Sequence, residues 1–331
     1  MTAYKGARKG KRYRSEVTKY HANLEENILN LHNHLVWGSW QPNPPRCFTI
    51  MEPKMRMITA PPFEDRIVHH ALVRKVSPIF EQRFIHRSYA CLKGKGVHRA
   101  IQDLQKGLQR MRRKHGQVWV VQADISKYFA SVNHQALFSQ ISIKVKCPRT
   151  LDLWWRITQA YGFDEEGRGI PVGALTSQLD ANINLDPIDH ALTDDLAAPY
   201  YARYMDDIVI LCRSKDEARF YLSQLKQAVE AIGLQLNPKT QIRQAAQGVD
   251  WCGYRTWSTH ILPRKRNIKR MKAKIKRATE KFNSGRADIA QLKQAVDSIL
   301  AYTKHCDAHK TINSIIGDIK LCRSSKQQKA A

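Results

Sequence analysis

Apolar positions along this chain follow two periods, and each change of period marks an element. Over residues 16–40, Val17, Tyr20, Leu24, Ile28, Leu29, Leu31 and Leu35 recur at helical spacing, predicting one amphipathic helix stopped by Gln41-Pro42-Asn43-Pro44-Pro45. Two short strands follow, at 47–51 and 55–59, around a turn at Glu52-Pro53-Lys54, and then a helix over 63–80. The near-continuous apolar run 119–123 predicts a strand buried on both faces, ending on Asp124. Helices are expected at 133–144, 149–161, 177–196 and 215–232, a strand at 233–236, a hairpin at 248–255, and helix from 264 onward. The mixture predicts an α+β fold.

One hairpin carries acid at its tip. Tyr204-Met205-Asp206-Asp207 lies between two apolar runs. Neighbouring carboxylates repel one another and lose solvation when buried, so such a pair persists best beside a cation. The hard oxygens of Asp suit Mg2+, which keeps coordination sites for substrate phosphates. A solvated turn is the plain alternative for an Asp-Asp dipeptide. Asp124, 82 positions before Asp206, adds an acid at the end of a buried strand. One Asp from a central strand and others from a neighbouring hairpin can bridge two cations about 4 Å apart, the arrangement of two-metal nucleotidyl transfer. Alternatively, Asp124 caps the turn that follows it.

Composition narrows the partner. With 55 Lys and Arg against 29 acids in 331 residues, the net charge of +26 calls for a polyanion, nucleic acid first. No run of about 18 apolar residues is present, and the basic N-terminus lacks a following apolar stretch, so neither a membrane span nor a secretory signal is expected. Seven scattered cysteines, an odd number, suit free thiols in a reducing cytoplasm. The helix-like segment His305-Cys306-Asp307-Ala308-His309 has no second ligand cluster, so a zinc site is not expected. The first 14 residues hold six cations and no acid, reading either as a flexible phosphate-touching arm or as a solubilising tail. The first 14 from Arg264 hold nine, including Lys269, Arg270, Lys272 and Lys276, and read as a nucleic-acid grip or a solvated face. The chain divides into a basic arm and helix (1–45), a central unit (46–262) and a basic helical end (263–331).

Several separate motifs together resemble the reverse transcriptases. Asp124-Ile125-Ser126-Lys127-Tyr128-Phe129 is similar to their first catalytic motif and Tyr204–Asp207 to their YxDD box; Gly169-Ile170-Pro171-Val172-Gly173-Ala174-Leu175-Thr176-Ser177-Gln178 resembles the loop and helix contacting template and nucleotide. Glu52–Arg56, Asp65–Val68 and Ser88–His98 resemble fingers motifs, and Gly233–Thr240 and Trp251–Tyr254 the last palm motifs, the second being the primer grip. The likeness covers roughly residues 45 to 260.

This resemblance implies a right-hand polymerase of fingers, antiparallel palm and helical thumb, with two Mg2+ per site, replaceable by Mn2+. Asp124, Asp206, Asp207 and the Ile125 carbonyl would hold the metals. Lys54 and Arg56 would bind the triphosphate, Arg56 through its planar fork, with Gln178 beside the nascent pair. Phe129 would exclude a 2′-hydroxyl, or serve as a core aromatic; Lys239 would protonate pyrophosphate, or sit on a solvated turn. Val172, Gln178 and Met205 further resemble the enzymes of diversity-generating retroelements, which copy template RNA with errors at adenine. These employ a small basic accessory protein that forms a pentamer. Asp180 and Asn133 depart from the expected pattern. An antiphage or retron-like enzyme is the alternative, and an inert nucleic-acid-binding scaffold a further one. Template RNA, the RNA/cDNA duplex and dNTPs are the implied partners.

Overall fold

A computed structural model describes residues 1–51, 55–161 and 167–322. Its first segment is α1 (Thr2–Arg8), then α2 (Ser15–Ala22) and α3 (Leu24–Trp37). The flexible arm expected at the N-terminus is therefore corrected: Tyr4 and Ala7 are buried, and the Tyr4 ring packs edge-on against Phe63 at 6.1 Å. Two apolar residues in a basic segment were enough to dock it. The single helix expected over 16–40 is likewise two, broken at Asn23, a residue type that competes for backbone hydrogen bonds and prefers caps to helix interiors. Gly38, at φ 72, ends α3 in the left-handed conformation before the proline cluster is reached.

Strands β1 (Arg46–Ile50) and β2 (Arg56–Ala60) form an antiparallel ribbon, followed by α4 (Phe63–Glu81) and α5 (Val97–His115). Next come β3 (Trp119–Asp124), α6 (Tyr128–Ser131), α7 (His134–Lys144), α8 (Pro148–Ala160) and α9 (Leu175–His190), which a π-helical turn, Ala191–Asp195, prolongs. Then β4 (Tyr200–Tyr204), β5 (Asp207–Cys212), α10 (Lys215–Ala231) and β6 (Gln241–Gln244) complete the central unit. The expected strand at 233–236 is absent; Leu236 makes one isolated bridge to Ile125, and the true strand is β6.

The palm sheet has the order β4-β5-β3-β6 and is antiparallel throughout. Its central strands are buried on both faces, which explains their unbroken apolar runs. Val121, Ala123, Ile208 and Ile210 enter the larger core with α9 and α10, while Val120, Val209 and Leu211 meet Leu104 and Leu108 of α5 on the other face. Gly107 permits that contact, because a Cβ there would lie 2.4 Å from the Tyr200 ring. The remaining elements are β7 (Val249–Trp251), β8 (Tyr254–Thr256), β9 (Ile261–Pro263), α11 (Lys265–Asn283), α12 (Ile289–Thr303) and α13 (His309–Gly317). The segment His305 to Ala308 is a turn between α12 and α13, not the helix expected, and Asp307 ties it to β9 through both its backbone N–H and its carboxylate. Stacking of Tyr254 on Tyr302 at 4.8 Å fastens the helical end to the β7–β9 sheet. Among the described residues no helix is long and apolar enough to cross a membrane.

Candidate active site

The register of the palm sheet builds the acidic site. Asp124, last residue of β3, lies directly opposite Asp207, first residue of β5, and Tyr204 pairs with Asp207, leaving Met205 and Asp206 as a two-residue turn. Met205 has φ 57, a left-handed conformation that costs a non-glycine residue about 1–2 kcal/mol and therefore needs support from its surroundings. The Ile125 N–H donates to the Asp206 carbonyl at 3.2 Å, so all three acids stand at one end of the sheet. Directly opposed like charges destabilise a strand pair. The Asp207 carboxyl is pushed up to about 8 by burial, opposed by the Arg264 guanidinium and reinforced by the charges of Asp124 and Asp206.

A site with these properties fits a divalent cation. Its side-chain donors are hard carboxylate oxygens, and their mutual repulsion is what a positive ion relieves. Among the described residues no three His, Cys, Asp or Glu side chains are gathered into a finished metal cage. The donors converge by strand pairing instead.

Two supports were not evident in the sequence. Asn237 is the first: its Nδ2 donates to Asp124 Oδ2 at 3.1 Å and its N–H to the Asp124 carbonyl at 2.7 Å, while its own Oδ1 accepts from the Lys239 N–H at 3.0 Å. Lys239 is thereby held beside the strand end. The second support is Arg203, fully buried beneath the turn. Its Nε and Nη2 donate to the two oxygens of Asp189 at 2.7 and 2.6 Å, and its Nη1 donates to Asn182 Oδ1 at 3.1 Å and to the Met205 carbonyl at 3.2 Å. One planar fork thus links α9 to the strained turn.

The other expected residues are dispersed around this centre. Phe129, half-buried in α6, packs edge-on to Tyr128 at 5.6 Å, and its carbonyl accepts from the Ile170 N–H at 2.7 Å, tying it to the loop before α9. Gln178 is exposed on the first turn of α9. The Val172 carbonyl accepts from the Thr59 N–H at 3.1 Å, joining that loop to β2. Gly173 makes the approach possible with φ 124; a Cβ there would meet the Thr59 carbonyl at 3.2 Å. Arg56 is exposed at the start of β2, and Lys54 lies outside the described residues. Lys269, Arg270, Lys272 and Lys276 are exposed on α11, away from the acids in sequence; Lys272 pairs loosely with Asp318 at 3.9 Å. Asp180, the departure noted in the sequence, is buried and accepts from Trp154 Nε1 at 2.8 Å.

An antiparallel palm with acids at the adjoining ends of its two central strands, a two-stranded ribbon before it and a helical end after it, is a right-hand template-directed polymerase. The chain belongs to the reverse transcriptase (RNA-dependent DNA polymerase) family, whose pattern matches residues 43–256. Protein YkfC of Escherichia coli K12 is 26% identical over 279 residues, covering 72% of this chain and 73% of that protein. The group II intron-encoded protein LtrA of Lactococcus lactis subsp. cremoris is 27% identical over 173 residues, which span 50% of this chain and only 28% of LtrA. Among solved structures, apo telomerase from Candida tropicalis has a similar fold, with TM-score 0.51 at 12% identity over 89% of this chain and 64% of that one.

Proposed function

We propose that this protein is an RNA-directed DNA polymerase acting in the cytoplasm, in which Asp124, Asp206, Asp207 and the Ile125 carbonyl hold two Mg2+ ions, with Mn2+ able to replace them. The observation that carries this reading is the pairing of Asp124 against Asp207 with Asp206 in the adjoining turn. Bound there, the metals would supply the activation of a primer 3′-hydroxyl and the stabilisation of leaving pyrophosphate. The chain's own residues position what reacts. Arg56, with Lys54, orients the triphosphate; Phe129 excludes a 2′-hydroxyl by volume; Lys239, clamped through Asn237, gives a proton to pyrophosphate. The exposed cations of α11 hold the RNA/cDNA duplex by its phosphates.

Within that activity the finer reading is a diversity-generating enzyme, error-prone opposite adenine and working with a small basic pentameric accessory protein. It is supported by Val172, Gln178 and Met205, of which Gln178 places an exposed amide at the start of α9. The test is extension of a primed RNA by the purified chain with dNTPs and Mg2+, followed by sequencing of the cDNA. Extension that stops on chelating the metal is expected, with misincorporation concentrated at template adenines and altered there by Gln178→Pro. Absence of extension with either metal would sink the polymerase reading. Uniformly low error at all four bases, with the natural RNA and accessory protein supplied, would sink only the finer one.

A further inference from the structure

Helix α5, which the sequence pattern did not reveal, is the most lopsided element of the palm. Its inner face, Ala100, Ile101, Leu104, Leu108 and Met111, is buried. Its outer face carries Lys106, Arg110, Arg113 and Lys114: Lys106 and Arg110, and Arg110 and Lys114, are four apart and Arg110 and Arg113 three apart, which places them on one exposed stripe. From Lys106 to Lys114 that stripe spans about 12 Å along the axis. None of these four cations forms an ion pair among the described residues. The helix's one acid, Asp103, is already occupied by Arg99 at 2.8 Å and by the Tyr89 hydroxyl at 3.0 Å. Helix-dipole stabilisation accounts for cations in the last turn, but Lys106 and Arg110 stand before it.

The stripe stops at Lys114, two residues before Gly116, which with Arg112, Gln117, Gln244, Trp257 and Thr259 lines a cleft of about 400 Å³ where α5 ends. Gln109 and Arg112 hold the β8–β9 turn against the helix by bonds to the Ser258 carbonyl and hydroxyl at 2.9 and 3.1 Å, so the cleft is built from ordered walls. Its position excludes the catalytic centre. The cleft adjoins Val118 at the start of β3, whereas Asp124 lies at the strand's other end, about 17 Å away by strand rise. Helix α5 also covers the sheet face opposite to α9 and α10.

We infer that the outer face of α5 and this cleft form a second RNA-binding surface, which holds a part of the RNA that is not being copied. A row of cations without ion pairs among the described residues, with amide side chains near its end, matches phosphates and base edges, and RNA is the polyanion already implied by the proposed activity, on which the identification of the ligand rests. The surface gives affinity and placement without touching the reacting atoms.

The test is the variant Lys106→Gln/Arg110→Gln/Arg113→Gln/Lys114→Gln, with two probes: a short primed RNA that fills only the polymerase cleft, and a long folded transcript primed with the same DNA. All four side chains are solvent-exposed, so folding is expected to be unaffected, and a thermal melt checks it. Expected are unchanged extension of the short RNA, at least tenfold weaker binding of the long one, and a salt slope shallower by about 3, at roughly 0.7 per lost phosphate contact. Photo-crosslinking of the long transcript to wild type should map to α5. Wild-type affinity and slope for the long transcript in the variant would overturn the inference and assign the face to an acidic protein instead. Equal loss on both probes would overturn it too, because the effect would then belong to the polymerase cleft that the short RNA fills. If the wild type fails to extend the short RNA, the polymerase reading fails while long-transcript binding still decides the second surface.

Discussion

Two arrangements of buried or half-buried carboxylates lie one layer apart in the palm, and they treat charge in opposite ways. Beneath the turn, Asp189 is matched completely: Arg203 takes both its oxygens and the Tyr201 hydroxyl donates at 2.7 Å. At the tip, Asp124 and Asp207 face each other with Asp206 alongside, and burial together with the charges of Asp124 and Asp206 pushes the Asp207 carboxyl up. A paired buried charge contributes rigidity, and a repelling cluster is costly until a cation joins it. The lower layer holds the geometry that the upper layer needs but cannot hold for itself.

The upper layer should be the more sensitive in activity. Asp206→Asn keeps size and shape while removing one negative donor, and loss of metal-borne stabilisation worth several kcal/mol means a fall in extension rate of on the order of a thousandfold or more. RNA affinity, measured by filter binding, should stay near wild type. Wild-type extension by this variant would remove the acids from the chemistry and erase the contrast.

In the lower layer the signature is stability. Arg203→Met removes the ion-pair partner of buried Asp189 and leaves it only the Tyr201 hydroxyl, at an expected cost of about 3–5 kcal/mol in denaturant unfolding. Arg203→Lys keeps the charge but loses the planar fork, so it should fold yet release the Met205 carbonyl. A lower kcat with an unchanged RNA affinity is expected from it. If Arg203→Lys unfolds at the wild-type midpoint and keeps the wild-type kcat, the layer neither stiffens the palm nor positions the turn.

Phe129 sharpens the same contrast at smaller scale, since it belongs to neither layer and its proposed role is one of volume alone. Phe129→Ala should let ribonucleotides compete, raising rNTP over dNTP incorporation by about 10- to 100-fold, the range reached when steric fit alone discriminates. Unchanged selectivity together with a loss of a few kcal/mol in stability would return Phe129 to the core.

Much of the upper layer was legible because β3 and β5 are apolar runs buried on both faces, and β3 ends and β5 begins at Asp. The lower layer was not. Arg203 and Asp189 read as ordinary polar residues, and only the fold brings them together across 14 positions. Helix α5 escaped notice because its many Lys, Arg and Gln residues mask a narrow apolar stripe, and α1 because Tyr4 and Ala7 are too few to show a period. The expected strand at 233–236 failed for a different reason: Leu236 follows the edge of β3 for a single bridge before Asn237 turns the chain to clamp Asp124.

Asp180 shows a third way of treating a buried carboxyl, which is to keep it neutral. Burial pushes its carboxyl up to about 8, opposed by the hydrogen bond from Trp154 Nε1. In the unfolded chain an Asp titrates near 3.9, so between roughly pH 4 and 8 the native state holds one proton more than the unfolded state. Stability from this group is therefore complete below about pH 4 and falls as pH rises through that window, by up to about 1.4 kcal/mol per unit. Asp180→Asn retains a side-chain oxygen to accept from Trp154 but cannot ionise. Urea unfolding from pH 5 to 8 should accordingly show a shallower decline in the variant than in the wild type, with the two curves diverging in the variant's favour at the alkaline end. Parallel curves would mean that Asp180 is charged in the native protein and that its partner is more than the indole.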